Sequence, residues 1–561
     1  MFITRKQFER YWYILALMVI IASMPFSKLM ISIGQFMIAG GWILERFSTQ
    51  KLRSYLAGRS SWQIILRFIP CSVCVALKGI FSGFLQFFRN KPALLFSSVI
   101  FLHLLGLLYT TDLDYAMKDL RTKLPILLLP LFLSTSGAFD KKSFSRFMAL
   151  FIMAVLIRSF YNTFMIQTHN FLDIRDVSRN VSHIIFSLLL TLSIFTLLYF
   201  SLKNNLLATW MRLLCALILM WFFIYIIISQ SFTGFAITLI TILVLIPILI
   251  FNTRNRWLRA GLLLFIVTVT VGAFFTIKSI VDDYYRVNPV DFTQLEKVTA
   301  RGNPYIHNIK SQQTENGNYL WIYVQWDELR GAWNIRSTIP FDSLNMKKEP
   351  VAYTVIRFLT SKGWRKDAEA VEKLSQQEIK AIEKGTANYV FLNEFTIRGR
   401  IYEFLWGFDN YLETGNPTGS TLMQRLEFWK ASLGIISDNW LTGVGTGDMN
   451  IAFTDQYEKM QSKLSPDQRW RSHNQFLSIF IGFGIFGLVW FLVAILYPPI
   501  MLRKQDDFFL VVFMIIAFLS MLTEDTIESQ TGVTFFAFFY SFFLFARKEK
   551  EPIFSKTSSH V

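Results

Sequence analysis

Cysteine is scarce in this chain, and its few cysteines fit no common cysteine-based site. Cys71, Cys74 and Cys215 are the only ones among 561 residues, and all three lie in apolar or membrane-proximal stretches. Cys71 and Cys74 have redox-pair spacing but lack the strand–helix–strand surroundings of a thioredoxin-like motif. The sequence also lacks zinc-ligand spacing, a phosphate-binding glycine loop and a dinucleotide fingerprint. We therefore expect no metal ion, no cofactor and no nucleic-acid partner.

Charged residues are sparse as well, at 17%, whereas hydrophobic residues make up 53% of the chain. Many apolar runs reach the roughly 17–25 residues that cross a bilayer. The predicted fold class is an all-α polytopic membrane protein of about 12 transmembrane helices, with a large periplasmic α+β loop between spans 9 and 10. The predicted spans are 12–25, 29–45, 92–109, 121–138, 147–166, 183–200, 212–228, 232–251, 260–279, 474–497, 508–523 and 531–546.

The excess of basic residues, a net charge of +17, falls mainly between alternate spans. Lys and Arg accumulate in cytoplasmic loops, so this distribution predicts that both termini are cytoplasmic. The predicted domains are a membrane domain (1–280), a periplasmic loop (281–472), three further spans (473–546) and a cytoplasmic tail (547–561). Within the first, the basic segment 47–91 contains an apolar stretch, 61–88, which predicts an interfacial helix pair broken at Pro70, or a re-entrant hairpin.

The segment 421–487 carries most of the functional information. It begins TLMQRLEFWKASLGIISDNWLTGVGTGDMN and ends RWRSHNQFLSIFIGFGIFG. Arg425 and Trp429 lie four residues apart, on one face of a predicted amphipathic helix over 420–437. A glycine-rich turn follows at 443–447, and His473 and Asn474 stand at the mouth of a long apolar segment. A cation and an imidazole at a membrane surface suit an anionic, lipid-linked substrate.

This segment resembles the signature of the O-antigen ligase and polymerase (Wzy-C-type) family of membrane glycosyltransferases, and stretches 104–133 and 521–539 are similar to a Bacteroidetes-like branch. The resemblance implies a glycan donor on undecaprenyl diphosphate. One departure is Phe232, where many relatives place an arginine in a Ser-Arg-Thr-Gly motif. The matching residues are Arg425, Trp429, Gly443, Gly445, Gly447, Tyr457, His473, Asn474, Gly484 and Gly487.

Two residues are the predicted catalytic pair. Arg425 is expected to hold the leaving diphosphate, because a guanidinium matches phosphate oxygens in pairs. The alternative is a surface pairing with Glu427 or another carboxylate. His473 is expected to activate the acceptor hydroxyl, because histidine exchanges a proton near neutral pH. The alternative is a cap on the tenth span.

Further substrate-binding candidates lie at the same predicted outer surface. Arg469 and Arg471 flank the His473 motif, and Arg179 and His183 lie four apart at the start of the sixth span. Acidic residues crowd the end of the eleventh span, where they are expected to orient His473, bind sugar or pair with an arginine. They are Glu524, Asp525 and Glu528.

The resemblance and the charge pattern together predict an inverting, metal-independent transferase in the bacterial inner membrane. Its expected partners are an undecaprenyl-diphosphate-linked glycan donor, a lipid A-core acceptor and membrane lipids. An O-antigen polymerase and a protein O-oligosaccharyltransferase share the donor and differ in the acceptor. A lipid or polysaccharide transporter is the alternative from another class, but charged residues deep within spans are expected there. Here the ionisable candidates cluster at the outer ends.

Overall fold

The computed structural model describes residues 5–47, 54–57, 61–169, 177, 181–202, 208–252, 255–392 and 396–551. The chain divides into two compact units. The first comprises Met1–Thr253 and Arg425–Val561, and the second comprises Arg254–Gln424. Segment 425–472, predicted from sequence to be part of the periplasmic loop, therefore belongs to the same unit as most of the apolar helices.

Many of the described helices are largely apolar. Six helical segments in the described residues are long and apolar enough to cross a membrane: Pro70–Arg89, Lys141–Thr168, His183–Leu202, Thr209–Ile228, Arg256–Tyr285 and Gln475–Met501. The helices of the N-terminal part are α1 (Arg5–Ser23), α2 (Lys28–Arg46), α3 (Ser61–Arg89), α4 (Lys91–Ser97), α5 (Val99–Gly106), α6 (Leu113–Lys123), α7 (Pro125–Thr135), α8 (Lys141–Thr168), α9 (His183–Leu202), α10 (Thr209–Ile228) and α11 (Phe232–Asn252).

Several predicted segments differ from the structure. The helix pair expected over 61–88 is one continuous helix, α3, with Pro70 inside it. A proline removes one backbone hydrogen bond and bends a helix, but it does not end a helix whose flanking residues stay helical. Helices also cover most of the other predicted spans, but 121–138 is divided between α6, which ends at Lys123, and α7, and 92–109 is divided between α4 and α5. Pro125 begins α7, a position that suits proline.

The second unit contains α12 (Arg256–Tyr285), α13 (Trp326–Arg336), α14 (Val351–Ser361), α15 (Ala368–Glu372), α16 (Gln376–Glu383) and α17 (Ile397–Thr414). Its described residues form a single two-stranded sheet, β1 (Thr314–Glu315) with β2 (Asn318–Tyr319). The apolar run 318–326 (NYLWIYVQW) has a pattern that predicts a β-strand, but it forms a strand only over Asn318–Tyr319. Tyr323 has a left-handed backbone, φ 58°, which interrupts an extended strand. The buried side chains beyond it pack against helices instead.

The first unit resumes with α18 (Thr421–Asn439), α19 (Met449–Lys459), α20 (Gln475–Met501), α21 (Phe508–Thr523) and α22 (Gln530–Phe545). Helix α22 is buried on every side from Thr531 to Leu544. A helix that is apolar all round lies inside its domain. Its phenylalanines contact rings of the surrounding helices, such as Phe513 and Phe144. This core fixes the end of α21, where the acidic residues lie.

The two ends of α21 distinguish two faces of the first unit. At one end Asp507 caps α21 and pairs with Arg547, which follows α22. Phe139, just before α8, donates its backbone N–H to the carbonyl of Ala546 at 2.8 Å. At the other end the connection from Glu524 to Ser529 joins α21 to α22. We call this second face the Glu524 face.

Candidate functional site

Helix α18 presents Arg425 and Trp429 one turn apart, and both hold neighbouring segments. Arg425 donates through Nη1 to the carbonyl of Thr523 and through Nη2 to Oε1 of Glu524, the latter at 2.7 Å. Trp429 donates through Nε1 to the carbonyl of Ser472 at 3.0 Å. The predicted alternative partner of Arg425, Glu427, accepts a hydrogen bond from Ser462 instead. One helix face thus holds both the 472–473 turn and the end of α21.

His473 lies in the turn before α20 and has a left-handed backbone, with φ 44°. Such a conformation in a non-glycine residue costs about 1–3 kcal/mol and is maintained only where its surroundings enforce it. Asn474 caps α20, because its side chain accepts from the backbone N–H groups of Phe476 and Leu477. The imidazole lies between the rings of Phe428 and Trp470, at centroid distances of 5.6 and 6.1 Å. His473 is therefore not the helix cap.

Glu524 joins the two predicted catalytic residues. Its Oε1 accepts from Arg425, and its Oε2 lies 3.2 Å from Nδ1 of His473. The side chains of Arg425, Glu524 and His473 are 22%, 17% and 30% exposed, so the trio is half-buried and open to a ligand. Burial raises the pKa of the Glu524 carboxyl, but its contacts with His473 and Arg425 outweigh burial and lower that pKa below its ordinary value. The carboxylate is therefore ionised at neutral pH.

The family model of the O-antigen ligases (Wzy_C) matches residues 379–492. Residues 379–492 are therefore similar to the O-antigen ligase domain. No curated protein matches the chain. The domain match supports glycosyltransferase activity of the O-antigen ligase or polymerase type.

The O-antigen ligase domain contains Arg425, the glycine turn and His473, whereas Glu524 comes from outside the matched residues. The trio is therefore complete only when the end of α21 packs against the domain. Glu524 was among the carboxylates that the sequence placed at this surface. In the structure it contacts the imidazole of His473 and pairs with Arg425, which are two of the contacts expected for these carboxylates.

The glycine turn packs against a break in α20 and contacts protein backbone. Gly484 has φ 65° and ψ −168°, so the helix is interrupted there. The carbonyl groups freed just before the break accept from the turn, with Val444 N to Ile481 O at 2.8 Å and Gly445 N to Gly482 O at 2.9 Å. A Cβ at Gly443 would lie 2.4 Å from the backbone of Gly482, so the approach requires glycine. The turn is a structural joint between α18 and α20.

A buried ion cluster lies beside the trio. Glu528, with 8% of its side chain exposed, accepts from Lys123 at 2.9 Å and from Gln475 at 3.1 Å, and Arg471 approaches it to 3.7 Å. Lys123 also contacts Asp119 at 2.5 Å. Burial raises the pKa of Glu528, and the charges of Lys123 and Arg471 more than reverse this effect and hold it well below its usual range. These contacts connect α6 and the segment Arg471–Gln475 to the turn after α21.

Asp525 is partly buried and contacts hydroxyl groups. Its Oδ1 accepts from Ser478 at 2.7 Å and from Ser472 at 3.2 Å. Burial raises the pKa of Asp525, and the negative charge of Glu528 raises it further. Because Ser472 directly precedes His473, these bonds help to fix the strained turn.

The remaining predicted binding residues occupy different surroundings. Arg471 faces Glu528 and lies over the ring of Tyr115, with its Cζ 5.7 Å from the centroid. Arg469 donates through Nε to the carbonyl of Leu464 at 3.1 Å and packs over Tyr457, so it braces the loop before the site. His183 is the first residue of α9. Arg179 lies outside the described residues.

In the part of the chain that the structure describes, no three His, Cys, Asp or Glu residues group to hold a metal ion. The sequence Asp112-Leu113-Asp114 has the Asp-x-Asp spacing of some metal sites. Its first carboxylate, Asp112, caps α6 by accepting from the backbone N–H of Tyr115 at 2.9 Å.

Several residues that build the site were not predicted. Ser472 and Gln475 stand next to His473 and Asn474 but carry no pattern of their own. Lys123 did carry a signal, because it is a charged residue within the predicted span 121–138, where charge is costly unless it is paired. Its partner Glu528 is 405 positions away, a pairing that no local spacing reveals.

Proposed function

We propose that this chain transfers a glycan from undecaprenyl diphosphate to a hydroxyl of lipid A-core at the periplasmic face of the bacterial inner membrane. The observation that carries the proposal is the carboxylate of Glu524, shared between Arg425 and His473. It joins a phosphate-binding cation and a proton acceptor within one half-buried site, next to helices that can span a membrane. The Glu524 face is the periplasmic one in this proposal.

Glu524 orients the imidazole for base catalysis. With Nδ1–H donating to Glu524, the proton-free Nε2 is directed away from the carboxylate, toward an incoming hydroxyl. The acceptor oxygen attacks the anomeric carbon from the side opposite the diphosphate, which inverts the configuration. The new carbon–oxygen bond forms as the bond to the diphosphate breaks, and the hydroxyl proton passes to His473.

Arg425 retains donors for the leaving group. A guanidinium carries five N–H groups, and the bonds to Thr523 and Glu524 use two of them. The remaining donors suit diphosphate oxygens, whose negative charge increases as the sugar departs. Because arginines carry this charge, the proposed reaction proceeds without a divalent metal.

Exposed apolar side chains accompany each member of the trio along the chain. Leu426 follows Arg425, Leu522 precedes Glu524 by two residues, and Trp470 precedes His473 by three. These three side chains are 38%, 47% and 58% exposed. Apolar surface beside an anion site matches a substrate whose phosphate is attached to a long isoprenoid chain.

The test is deletion of the gene, followed by analysis of lipopolysaccharide and of lipid-linked glycan. The proposal expects loss of all O-antigen from lipid A-core, with accumulation of long glycan on undecaprenyl diphosphate. A single repeat unit left on the core identifies a polymerase. Normal lipopolysaccharide with unmodified glycoproteins identifies a protein O-oligosaccharyltransferase. If lipopolysaccharide, lipid-linked glycan and glycoproteins are all normal, a role in glycan transfer is overturned.

The proposed orientation is tested by labelling in a cysteine-free background. A cysteine at Ser311, in the second unit, is expected to react with an impermeant maleimide in intact spheroplasts. A cysteine at Lys550, near the C-terminus, is expected to react only after lysis. The reverse pattern refutes the orientation.

A further inference from the structure

Arg158 is a buried cation in the apolar helix α8, and its partners are aromatic rings. The residue is 7% exposed, and its guanidinium carbon lies 5.1 Å from the ring centroid of Tyr161 and 6.0 Å from that of Phe26. No hydrogen bond or ion pair joins Arg158 to any residue that the structure describes. A charge on a membrane helix is costly without a partner, so such a residue indicates a functional site.

A second unsatisfied group lies on the same side of α8. Asn162 follows Arg158 by four residues, which places both on one helix face. Asn162 is 1% exposed, and its amide shares one hydrogen bond with the hydroxyl of Tyr225 at 2.9 Å, while its Oδ1 has no partner. A hydroxyl both donates and accepts, so Tyr225 can bond to either end of the amide. With the amide oxygen turned to Tyr225, the NH2 group is available to an anion.

The position of Arg158 along α8 suits a lipid headgroup. Helix α8 has 28 residues, which is about 42 Å at 1.5 Å per residue, longer than a hydrocarbon core of roughly 30 Å. Arg158 lies ten residues before the end of α8 at Thr168, about 15 Å from it. Phe26 belongs to the connection between α1 and α2. Through its contact with Phe26, Arg158 therefore reaches the surface of the first unit at which this connection lies.

This surface is the one that carries the candidate active site. Gln530, at the start of α22, donates to the hydroxyl of Ser32, near the start of α2, at 2.7 Å. The connection that contains Phe26 thus lies at the Glu524 face. Through Phe26, the cation and the neighbouring amide thus lie on the side of the unit that carries the proposed substrate site.

We propose that Arg158 and Asn162 form a binding site for the phosphate group of a membrane lipid. The guanidinium donates to two phosphate oxygens, the amide of Asn162 donates to a third, and Tyr225 holds the amide in place. The apolar rings around Arg158 contact the first carbons of the lipid. The proposal rests on the membrane location of the chain but not on its transfer activity.

The experiment measures lipid binding to detergent-solubilised protein by native mass spectrometry. The probes are glycan-free undecaprenyl diphosphate, phosphatidylglycerol and the zwitterionic phosphatidylethanolamine. Arg158→Gln removes the charge but keeps a polar side chain of similar width. The matched control is Arg146→Gln, on the same helix but exposed near its other end. We expect Arg158→Gln to weaken binding of an anionic lipid about 10–100-fold, and Arg146→Gln to change it less than twofold.

The pattern across probes identifies the source of the phosphate. Loss confined to undecaprenyl diphosphate assigns the site to the glycan carrier, and equal loss for phosphatidylglycerol assigns it to bulk phospholipid. Should Arg158→Gln not fold, Asn162→Leu retains the charge and is expected to weaken binding about 3–10-fold. A folded variant of either kind that binds both anionic lipids within twofold of wild type overturns the site. An Arg425→Lys arm reports separately on the proposed donor site.

Discussion

Replacing Glu524 by glutamine tests whether one carboxylate organises the candidate active site. The carboxylate offers Oε1 to Arg425 at 2.7 Å and Oε2 to His473 at 3.2 Å. Glutamine has nearly the same shape, but only one of its two terminal atoms accepts a hydrogen bond. Whichever way the amide turns, its NH2 group faces a donor, either the guanidinium or the imidazole N–H. One of the two proposed catalytic residues therefore loses its partner.

The size of the effect follows from the bond that is lost. A hydrogen bond to a charged group contributes about 1.5–3 kcal/mol, and each 1.36 kcal/mol changes a rate about tenfold. We expect Glu524→Gln to lower kcat/KM for glycan transfer roughly 10–150-fold. The protein is expected to insert and fold, because Arg425 keeps its bond to the carbonyl of Thr523 and Trp429 keeps its bond to Ser472.

The assay uses purified protein with an undecaprenyl-diphosphate-linked glycan and isolated lipid A-core. Glu427→Gln is the matched control, because this buried carboxylate lies on the same helix as Arg425 and accepts from Ser462. The control is expected to keep activity within about threefold of wild type. The reasoning about Glu524 is refuted if Glu524→Gln, shown by thermal unfolding to be folded, also stays within that range.

Other perturbations separate the remaining parts of the structure. Arg425→Lys is expected to weaken donor use by roughly 2–4 kcal/mol of transition-state stabilisation, whereas His473→Ala should lower turnover about 10²–10⁴-fold with donor binding nearly intact; equal donor affinities and rates contradict this division. Glu528→Gln removes the carboxylate that faces Arg471 and one of the two that contact Lys123, and it should cost about 3–5 kcal/mol of stability at neutral pH. Because the pKa of Glu528 is lowered by folding, its contribution is present above its ordinary pKa and is lost as pH falls, so wild-type unfolding temperatures should decline below about pH 4.5 while the variant's change less; a wild type that is insensitive to acid contradicts the cluster. Gly484→Ala should abolish folding, since its Cβ would lie 2.1 Å from the Leu441 carbonyl, whereas Gly40→Ala, with no atom within 4 Å, should be tolerated. Transfer should survive EDTA, and complete loss that magnesium restores contradicts metal independence.

Local patterns predicted the helices of this chain well because each pattern lies within the helix that it describes. The apolar runs correspond to helices α8, α9 and α10, and the spacing of Arg425 and Trp429 places both on one helix, as observed. The motif around His473 and the acidic residues after α21 were recognised as candidates for the same surface. These signals depend on neighbours within a few residues, which sequence displays directly.

The connections that complete the site depend on contacts between distant segments. Nothing along the chain indicates that Glu524 would serve both Arg425 and His473, or that Lys123 would meet Glu528. The continuous apolar run after Asn474 predicted one span, but Gly484 interrupts it in response to backbone packing with the glycine turn. The strand predicted over 318–326 failed for a similar reason, since its apolar residues pack against helices.

The break at Gly484 determines how far the proposed reaction site lies from the bilayer. Below the break, Ile485–Met501 measures about 25 Å at 1.5 Å per residue, close to the thickness of the hydrocarbon layer. Above it, Gln475–Phe483 forms a short helical segment, and the 472–473 turn lies at the start of this segment. This segment is joined to the glycine turn by main-chain hydrogen bonds from Val444 and Gly445. Side chains around this helical segment can therefore change to suit a different acceptor. The proposed reacting groups meanwhile stay at a constant distance from the lipid hydrocarbon.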